Sequence, residues 1–556
     1  MKAGIPQRTA ALIIRFSAFL YTSFCILLFL IVSLFWDCTE FYLKDTMPPL
    51  YMSHLSAMFC AVLLTVIVFR FVSRFPDTNR SAISTALLIS ISSAVLFVWQ
   101  VLIVRHCWFA SGYGDDAIFV LRSALAYARR EYQFIENAYL QICSNNITLT
   151  GVFGLIMRSV MFLTRSEPSI ESFQIFLDYI QSFLNMLTCA CCASAAYQMT
   201  NSRRASFLCW FSVTLTVGLS PYILVPYSDS ISLVFPVLIF LLWYAAIKKE
   251  QIPLYFLLGL LSGLAFILKP HAFIPAVAAL LCLFLRCLSS GFSAKRFACF
   301  LAMIFGIYLF VSPVQTLLHN DMHLRIDSEK SLEASHYLNM GLNTQTDGCF
   351  IDSDRAFALS WPTKAERNRA CLDSAFKRIQ EMGPGGMLRH AFRKCLVNFS
   401  DGTFSWNNDF NQIVPPPRNA LSPILRSIVY EDGEAHRVLA TIQQIAWQLV
   451  LLLLPFAELA RRKASGFKRE AIFMLMLSCL GILMFNMLLE AKGRYVYTLV
   501  PLFCLLAVCS GEALFLSLKE RFRRRCLLPE QPPPALGRYP RAARASHGCP
   551  PVSPPG

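Results

Sequence analysis

Apolar residues fall in long unbroken runs, at 10–36, 51–72, 83–104, 173–197, 206–222, 229–247, 252–268, 271–288, 297–318, 437–459, 471–489 and 495–517. Each approaches the roughly 20 helical residues needed to cross the hydrocarbon core of a bilayer. The pattern predicts an all-α polytopic membrane protein with about twelve transmembrane helices. The first run is too long for a signal-peptide core and lacks a small-residue cleavage site before Asp37, so it reads as a retained span.

Polar residues between the runs set the orientation. Lys2/Arg8, Arg70/Arg74/Arg80, Arg203/Arg204, Lys248/Lys249, Arg286/Lys295/Arg296, Arg461/Arg462/Lys463/Lys468/Arg469 and Lys519/Arg521/Arg523 occupy alternate connections, which places them inside. Connections 37–50, 105–146, 223–228, 269–270, 319–436 and 490–494 then face outward. The apolar segment 147–164 carries Arg158, and counting it as a span would put Arg203 and Arg204 outside. It reads as interfacial or re-entrant instead.

Four regions follow. Residues 1–318 form an N-terminal transmembrane region with an acidic outer loop at 105–146, and 319–436 form a small extracytoplasmic cap. C-terminal transmembrane helices occupy 437–518, and 519–556 form a basic, Pro-rich cytoplasmic tail expected to be disordered. The cap expectation rests on loop length, on Trp361 and Trp406, and on the breakers Gly383-Pro384-Gly385-Gly386 and Pro415-Pro416-Pro417.

Composition removes whole classes of function. At 56% hydrophobic and 15% charged residues, with mean hydropathy +0.51, the chain cannot build the surface of a soluble enzyme. Its +16 net charge comes from 50 Lys+Arg against 34 Asp+Glu, but the cations punctuate apolar runs and signal topology rather than a nucleic-acid partner. Most of the 20 cysteines lie in apolar runs, where a thiol is a small hydrophobe. Cys189-Ala190-Cys191-Cys192 lacks metal-ligand spacing and reads as helix packing, so no metal site is assigned. A disulfide among Cys349, Cys371 and Cys395 stays open. Asn146-Ile147-Thr148 and Asn398-Phe399-Ser400 match the glycosylation sequon.

Candidate chemistry gathers on the outward connections. Gly112-Tyr113-Gly114-Asp115-Asp116 sets two adjacent carboxylates at the head of the amphipathic stretch 118–130, where one can accept a proton while the other orients it or meets a cation. An acidic pair of this kind serves with or without a divalent cation. Pro226-Tyr227-Ser228-Asp229-Ser230 places Asp229 at the same boundary. Lys269-Pro270-His271 and Glu490-Ala491-Lys492-Gly493-Arg494-Tyr495 follow in short outer turns. Lys269, Lys492 and Arg494 stand at outer span ends against the topology rule. Such cations at headgroup depth suit a lipid phosphate, which they hold and stabilise as a leaving group.

This ordered set of motifs resembles the GT-C-fold, polyprenyl-phosphate-sugar-dependent glycosyltransferases. It is most similar to bacterial family-39-like membrane proteins, and more distantly to protein O-mannosyltransferases, aminoarabinose transferases and GPI mannosyltransferases. The resemblance covers roughly 80–520. It implies a GT-C-like fold and transfer of a hexose, such as mannose, to an extracytoplasmic glycan, lipid or protein acceptor. Asp115 or Asp116 takes the role of base, Lys269 and Arg494 bind the lipid phosphate, and Asp229, Tyr113, His271, Glu490 and Tyr495 support the substrate site. It also implies a bacterial plasma membrane, with the endoplasmic reticulum membrane as the alternative. The chain departs from the pattern in carrying two spans ahead of the acidic loop's own span.

Three other readings compete. A transporter or flippase of lipid-linked glycan intermediates needs ionisable groups at mid-membrane depth, where Asp178 and Arg158 are the main examples. An O-antigen-ligase or polymerase type also uses outward arginines but has no need of the early acidic pair. A scaffold would use the long loop to bind a partner.

Overall fold

The computed structural model describes residues 5–73, 82–108, 110–111, 116–290, 293–324, 327–406, 412–413, 416–430 and 432–527. The chain is an all-α polytopic membrane protein. Its helices are, in order, α1 (Ile5–Phe35), α2 (His54–Ser73), α3 (Ala82–Cys107), α4 (Asp116–Arg129), α5 (Asn137–Ile142), α6 (Ile147–Thr164), α7 (Ile170–Thr200) and α8 (Arg203–Val213). There follow α9 (Ser228–Ile231), α10 (Val234–Lys249), α11 (Ile252–Leu268), α12 (Ile274–Ser290), α13 (Ala294–Asp321), α14 (Ala334–Gly341), α15 (Asp352–Leu359) and α16 (Lys364–Phe399). The last are α17 (Leu421–Val429), α18 (Glu434–Leu453), α19 (Ala457–Lys463), α20 (Gly466–Leu488), α21 (Arg494–Tyr497) and α22 (Val500–Leu527). A two-residue antiparallel ladder pairs Ala110 with Ile413 and Ser111 with Gln412. Residues 1–514 form one compact unit and 515–556 a second.

Among the described residues ten helices are long and apolar enough to cross a membrane, and two shorter apolar stretches, His54–Ile67 and Ile252–Leu268, accompany them. This set differs from the expected twelve spans in one place. The run 206–222 is not one helix: α8 stops at Val213, a π turn occupies Thr214–Gly218 and a 3-10 turn Pro221–Leu224. Segment 144–164 is long and apolar enough to take its place. Its contacts run to residues at the outer ends of other segments. Asn146, just before α6, meets Tyr227, and Arg158 reaches Asp321, the last residue of α13, at 3.2 Å. The following helix begins beside the same end, where Gln174 of α7 donates to the Leu224 carbonyl. Arg158, the cation that disturbed the topology, is thereby explained, and its guanidinium also sits 4.3 Å from the Tyr127 ring.

The opposite end collects the other cations. Arg204 pairs with Glu512, and Arg286 lies between Glu250 at 2.5 Å and Glu470 at 3.7 Å. Between the two ends α11 and α13 pack with their backbones in close approach. A methyl group on Gly259 would collide with the Met303 carbonyl, and one on Gly306 would strike Phe256. Small residues at such crossings replace the hydrophobic driving force that lipid removes.

The C-terminal part of the expected cap packs into the bundle. The C-terminal half of α16 descends into the bundle, where Trp447 donates to the Phe399 carbonyl at 2.7 Å. Cys395, Phe399, Phe404 and Trp406 belong to the same apolar core as the spanning helices. The helix bends at Gly383, whose φ of 60° suits a residue without a Cβ, immediately before Pro384. The first hairpin is likewise integral, with the Tyr21 hydroxyl donating to Leu454 and Ser33 to Gln448. The last helix runs to Leu527, past the expected boundary at 518, and the remainder of the tail lies outside the described residues. Cys349, Cys371 and Cys395 are free and buried.

Candidate functional site

A broken helix delivers the first half of the site. The turn at 214–224 frees the carbonyls of Val217, Gly218, Ile223 and Leu224, which would be costly to leave unpaired in a buried position. Side-chain amides take them up: Asn185 donates to Val217 at 3.0 Å, Gln100 to Gly218 at 2.7 Å, and Gln181 and Gln174 to Ile223 and Leu224 at 3.3 Å each. Asp178 belongs to this ladder, accepting from Gln181 at 3.2 Å. The chain leaves the turn extended at Tyr227 and starts α9 at Ser228, which sets Asp229 at the end of the bundle.

Lys269 meets it from α11. A residue before proline is driven out of the helical region, and Lys269 has φ −156° and ψ 113°. Its ammonium lies 2.5 Å from Asp229 Oδ1, with the two side chains only 8% and 1% exposed. This is a buried ion pair of a kind that is costly to break from one side.

Asp116 opens α4 and is held by phenols. Tyr139 donates to Oδ1 at 2.9 Å and Tyr227 to Oδ2 at 3.3 Å. Asn146 donates to both hydroxyls, at 2.5 Å and 3.0 Å. Burial and the Asp116 carboxylate raise the pKa of Tyr227, and burial does the same for Tyr139, with Tyr227 and Asp116 adding to it, so both remain donors. Arg494 approaches Asp116 at 3.9 Å.

The loop after α20 supplies the rest. Burial raises the pKa of Glu490, against the opposing pull of Lys492 and Arg494. Tyr495 stacks on His271 with centroids 4.9 Å apart and planes at 14°. Lys269 and Arg494 lie 5.4 Å and 5.5 Å from the Tyr495 ring, and both lie 5.9 Å from Tyr227. These groups line one cavity of about 850 Å³, which Phe119, Phe266, Phe485 and Leu489 make partly apolar.

Lys394 anchors that loop from α16. It is fully buried and donates to three carbonyls, Gly341 at 2.8 Å, Met487 at 3.1 Å and Leu489 at 2.6 Å. Burial lowers its pKa from 10.5 to about 8, with Cys349 and Glu490 pulling upward. The unfolded chain keeps this proton up to about 10.5 while the folded chain releases it from about 8. The Lys394 contribution therefore gains stability as pH rises through that window and is flat below it. The expected result is that the melting temperature of wild type, relative to Lys394→Met, rises between about pH 7.5 and about pH 9.5. Parallel pH curves would contradict it.

Of the expected site residues, Asp116, Lys269, His271, Glu490, Arg494 and Tyr495 share the cavity wall, and Asp229 lies beneath it, paired to Lys269. Asp115 and Tyr113 lie outside the described residues. Tyr139, Asn146, Tyr227, Glu333, His336, Tyr337, Arg355 and Lys492 also line the cavity. Tyr227 and Lys492 stood in motifs already singled out. Asn146 matched a sequon, but it is 2% exposed and serves the phenols, and the sequon residue Asn398, at 1%, accepts from the Lys492 amide. Met340 and Phe350 of the long outer loop also reach the cavity, while 400–406 is buried. Among the described residues no group of three or more His, Cys, Asp or Glu is placed to hold a metal ion.

Residues 12–514 match a family model described as "conserved hypothetical integral membrane protein". No curated protein matches the chain.

Proposed function

We propose, from the premise that this chain belongs to the family of conserved hypothetical integral membrane proteins, that it is a membrane glycosyltransferase moving a hexose from a polyprenyl-phosphate donor to an extracytoplasmic acceptor. The observation that carries the reading is the gathering of Asp116, Arg494 and Lys269 on the wall of one aromatic cavity at the bundle end. The two cations hold the donor phosphate, and the apolar wall takes the start of the prenyl chain. An aspartate of the Asp115-Asp116 pair removes the acceptor hydroxyl proton, and that oxygen bonds to the sugar's anomeric carbon. The bond from that carbon to the phosphate oxygen breaks. The prenyl phosphate leaves with the electron pair, its charge met by Lys269 and Arg494. Attack opposite the leaving group inverts the anomeric centre.

The alternative of a lipid-intermediate transporter draws less support. Of its two candidate membrane ions, Arg158 is paired with Asp321 and Asp178 accepts from Gln181 through one oxygen. A bacterial plasma membrane is the proposed location. The sequons do not decide the compartment, and their asparagines are buried.

The test supplies radiolabelled polyprenyl-phosphate sugars to membranes with and without the protein. Label entering a non-donor product only when the protein is present is the expected result. No transfer from any donor, together with lipid-linked sugar accumulating on one leaflet of cells lacking the protein, would replace the transferase by a transporter.

A further inference from the structure

Resting on the reading of Asp116 as the base of a transferase, we infer that Asn146 is a positioning residue for that base. Its side-chain amide aims two phenols at Asp116 and keeps their protons on the carboxylate.

A phenol has one proton to give. Tyr139 donates to Asp116 Oδ1 at 2.9 Å, and Tyr227 to Oδ2 at 3.3 Å. Both hydroxyl oxygens are met in turn by a single nitrogen, Asn146 Nδ2, at 2.5 Å and 3.0 Å, and an amide nitrogen carries the two hydrogens that this requires. Tyr227 also has a competing acceptor, because Asn146 Oδ1 lies 3.2 Å from its hydroxyl. The orientation of the amide therefore decides where the phenol protons go. With its nitrogen toward the hydroxyls they point at Asp116; turned over, its oxygen would draw them away. Asn145 favours the first arrangement, since its own amide nitrogen lies 3.5 Å from Asn146 Oδ1 and donates there.

Burial separates the holder from the group it holds. The Asp116 side chain is 41% exposed on the cavity wall, whereas Asn146 is 2% exposed. The Asn146 backbone is itself fixed, with the Thr150 hydroxyl donating to its carbonyl at 2.9 Å as α6 begins. Packing at this point would be served as well by a leucine of similar volume. What the amide adds is a linked set of hydrogen bonds, each of which strengthens the next, ending on a carboxylate that must stay within reach of the proton it takes.

The experiment measures the maximal transfer rate per folded molecule and the donor KM, with radiolabelled polyprenyl-phosphoryl mannose, glucose and galactose in membranes carrying the full chain. Asn146→Leu is expected to lower the maximal rate about tenfold and to leave the donor KM within about twofold of wild type. In a chain that already carries Tyr139→Phe and Tyr227→Phe, adding Asn146→Leu is expected to change the rate by less than about twofold, because the amide acts through hydroxyls that are gone. Asn146→Asp keeps the shape, lacks both N–H groups and draws the phenol protons to itself, so it is expected to lose about tenfold or more even if the leucine variant fails to fold. A further loss of about tenfold in the Tyr139→Phe, Tyr227→Phe chain would mean that Asn146 serves the fold and not the base, and overturns the inference. Wild-type rates in both Asn146 variants overturn it too, and either result leaves the transferase reading standing. Full transfer by Asp116→Asn overturns it by removing the group that Asn146 serves. No transfer from any donor by wild type overturns the positioning role and the transferase together.

Discussion

Lys269→Met is expected to destabilise the folded chain by about 3–5 kcal/mol, seen as a lower melting temperature and a reduced folded fraction after solubilisation. The substitution keeps the length of the side chain and removes the charge. It leaves Asp229, 1% exposed, as an uncompensated carboxylate whose Oδ2 already lacks a partner among the described residues. A buried ion pair is broken at far greater cost than it is replaced, since removing both charges also removes both desolvation penalties. Lys269→Met combined with Asp229→Leu is therefore expected to recover most of the lost stability. The double variant separates structure from function: it is folded, but it lacks the ammonium proposed to meet the donor phosphate, so transfer is expected to stay low. A double variant that transfers sugar at the wild-type rate would reduce Lys269 to a structural residue. A single variant that melts with wild type would mean that the pair is open to water.

The ends of the helices were easier to read than their breaks. Lys269-Pro270 announces a helix stop by the steric demand of proline, and cations at the end away from the other basic residues stand out against the topology rule. Those local signals located Lys269, His271, Glu490 and Arg494 correctly on one end of the bundle. The break at 214–224 had its own warning in Gly218 and Ser220-Pro221, but the apolar run around it masked the signal. Thr214 to Leu224 is as apolar as a continuous span, and the amides that make the break tolerable stand on other helices, Gln100 on α3 and Gln174, Gln181 and Asn185 on α7. Hydropathy sees those amides as flaws in a span, whereas they are the partners of freed carbonyls more than thirty residues away. Segment 147–164 shows the converse. Its composition is that of a span, and only the parity of the cations around it, with Arg158 tied to Asp321, marks it as returning to the end where it began. Asn146 was legible as a sequon and misleading as one. A triplet specifies a possible modification, while burial against Tyr139 and Tyr227 depends on three segments meeting. The long outer loop contained the breakers expected of a cap, but Trp406 and Phe399 point its apolar residues into the bundle rather than into a core of their own.

Asp116→Asn is expected to lower transfer by about 10²–10⁴-fold with the protein still folded, the range in which a positioned proton acceptor contributes. Asparagine keeps the shape and one acceptor oxygen, so one of the two phenol contacts survives, and a folded variant makes the loss report basicity rather than collapse. Asp115 is adjacent in sequence, and two neighbouring acids cannot both be the one base. Asp115→Asn in parallel assigns them. If that variant is the inactive one, Asp116 orients the acceptor or holds Arg494 and its neighbour is the base. Tyr227→Phe gives the complementary reading, because it removes a donor to Asp116 Oδ2. Transfer should therefore fall in Tyr227→Phe if Asp116 is the base, and stay near the wild-type rate if it is not. Full transfer by both aspartate variants, each present at wild-type level, would remove the proposed base from this cavity altogether. Lys269 and Arg494 would then be left holding a phosphate on which the protein performs no proton chemistry.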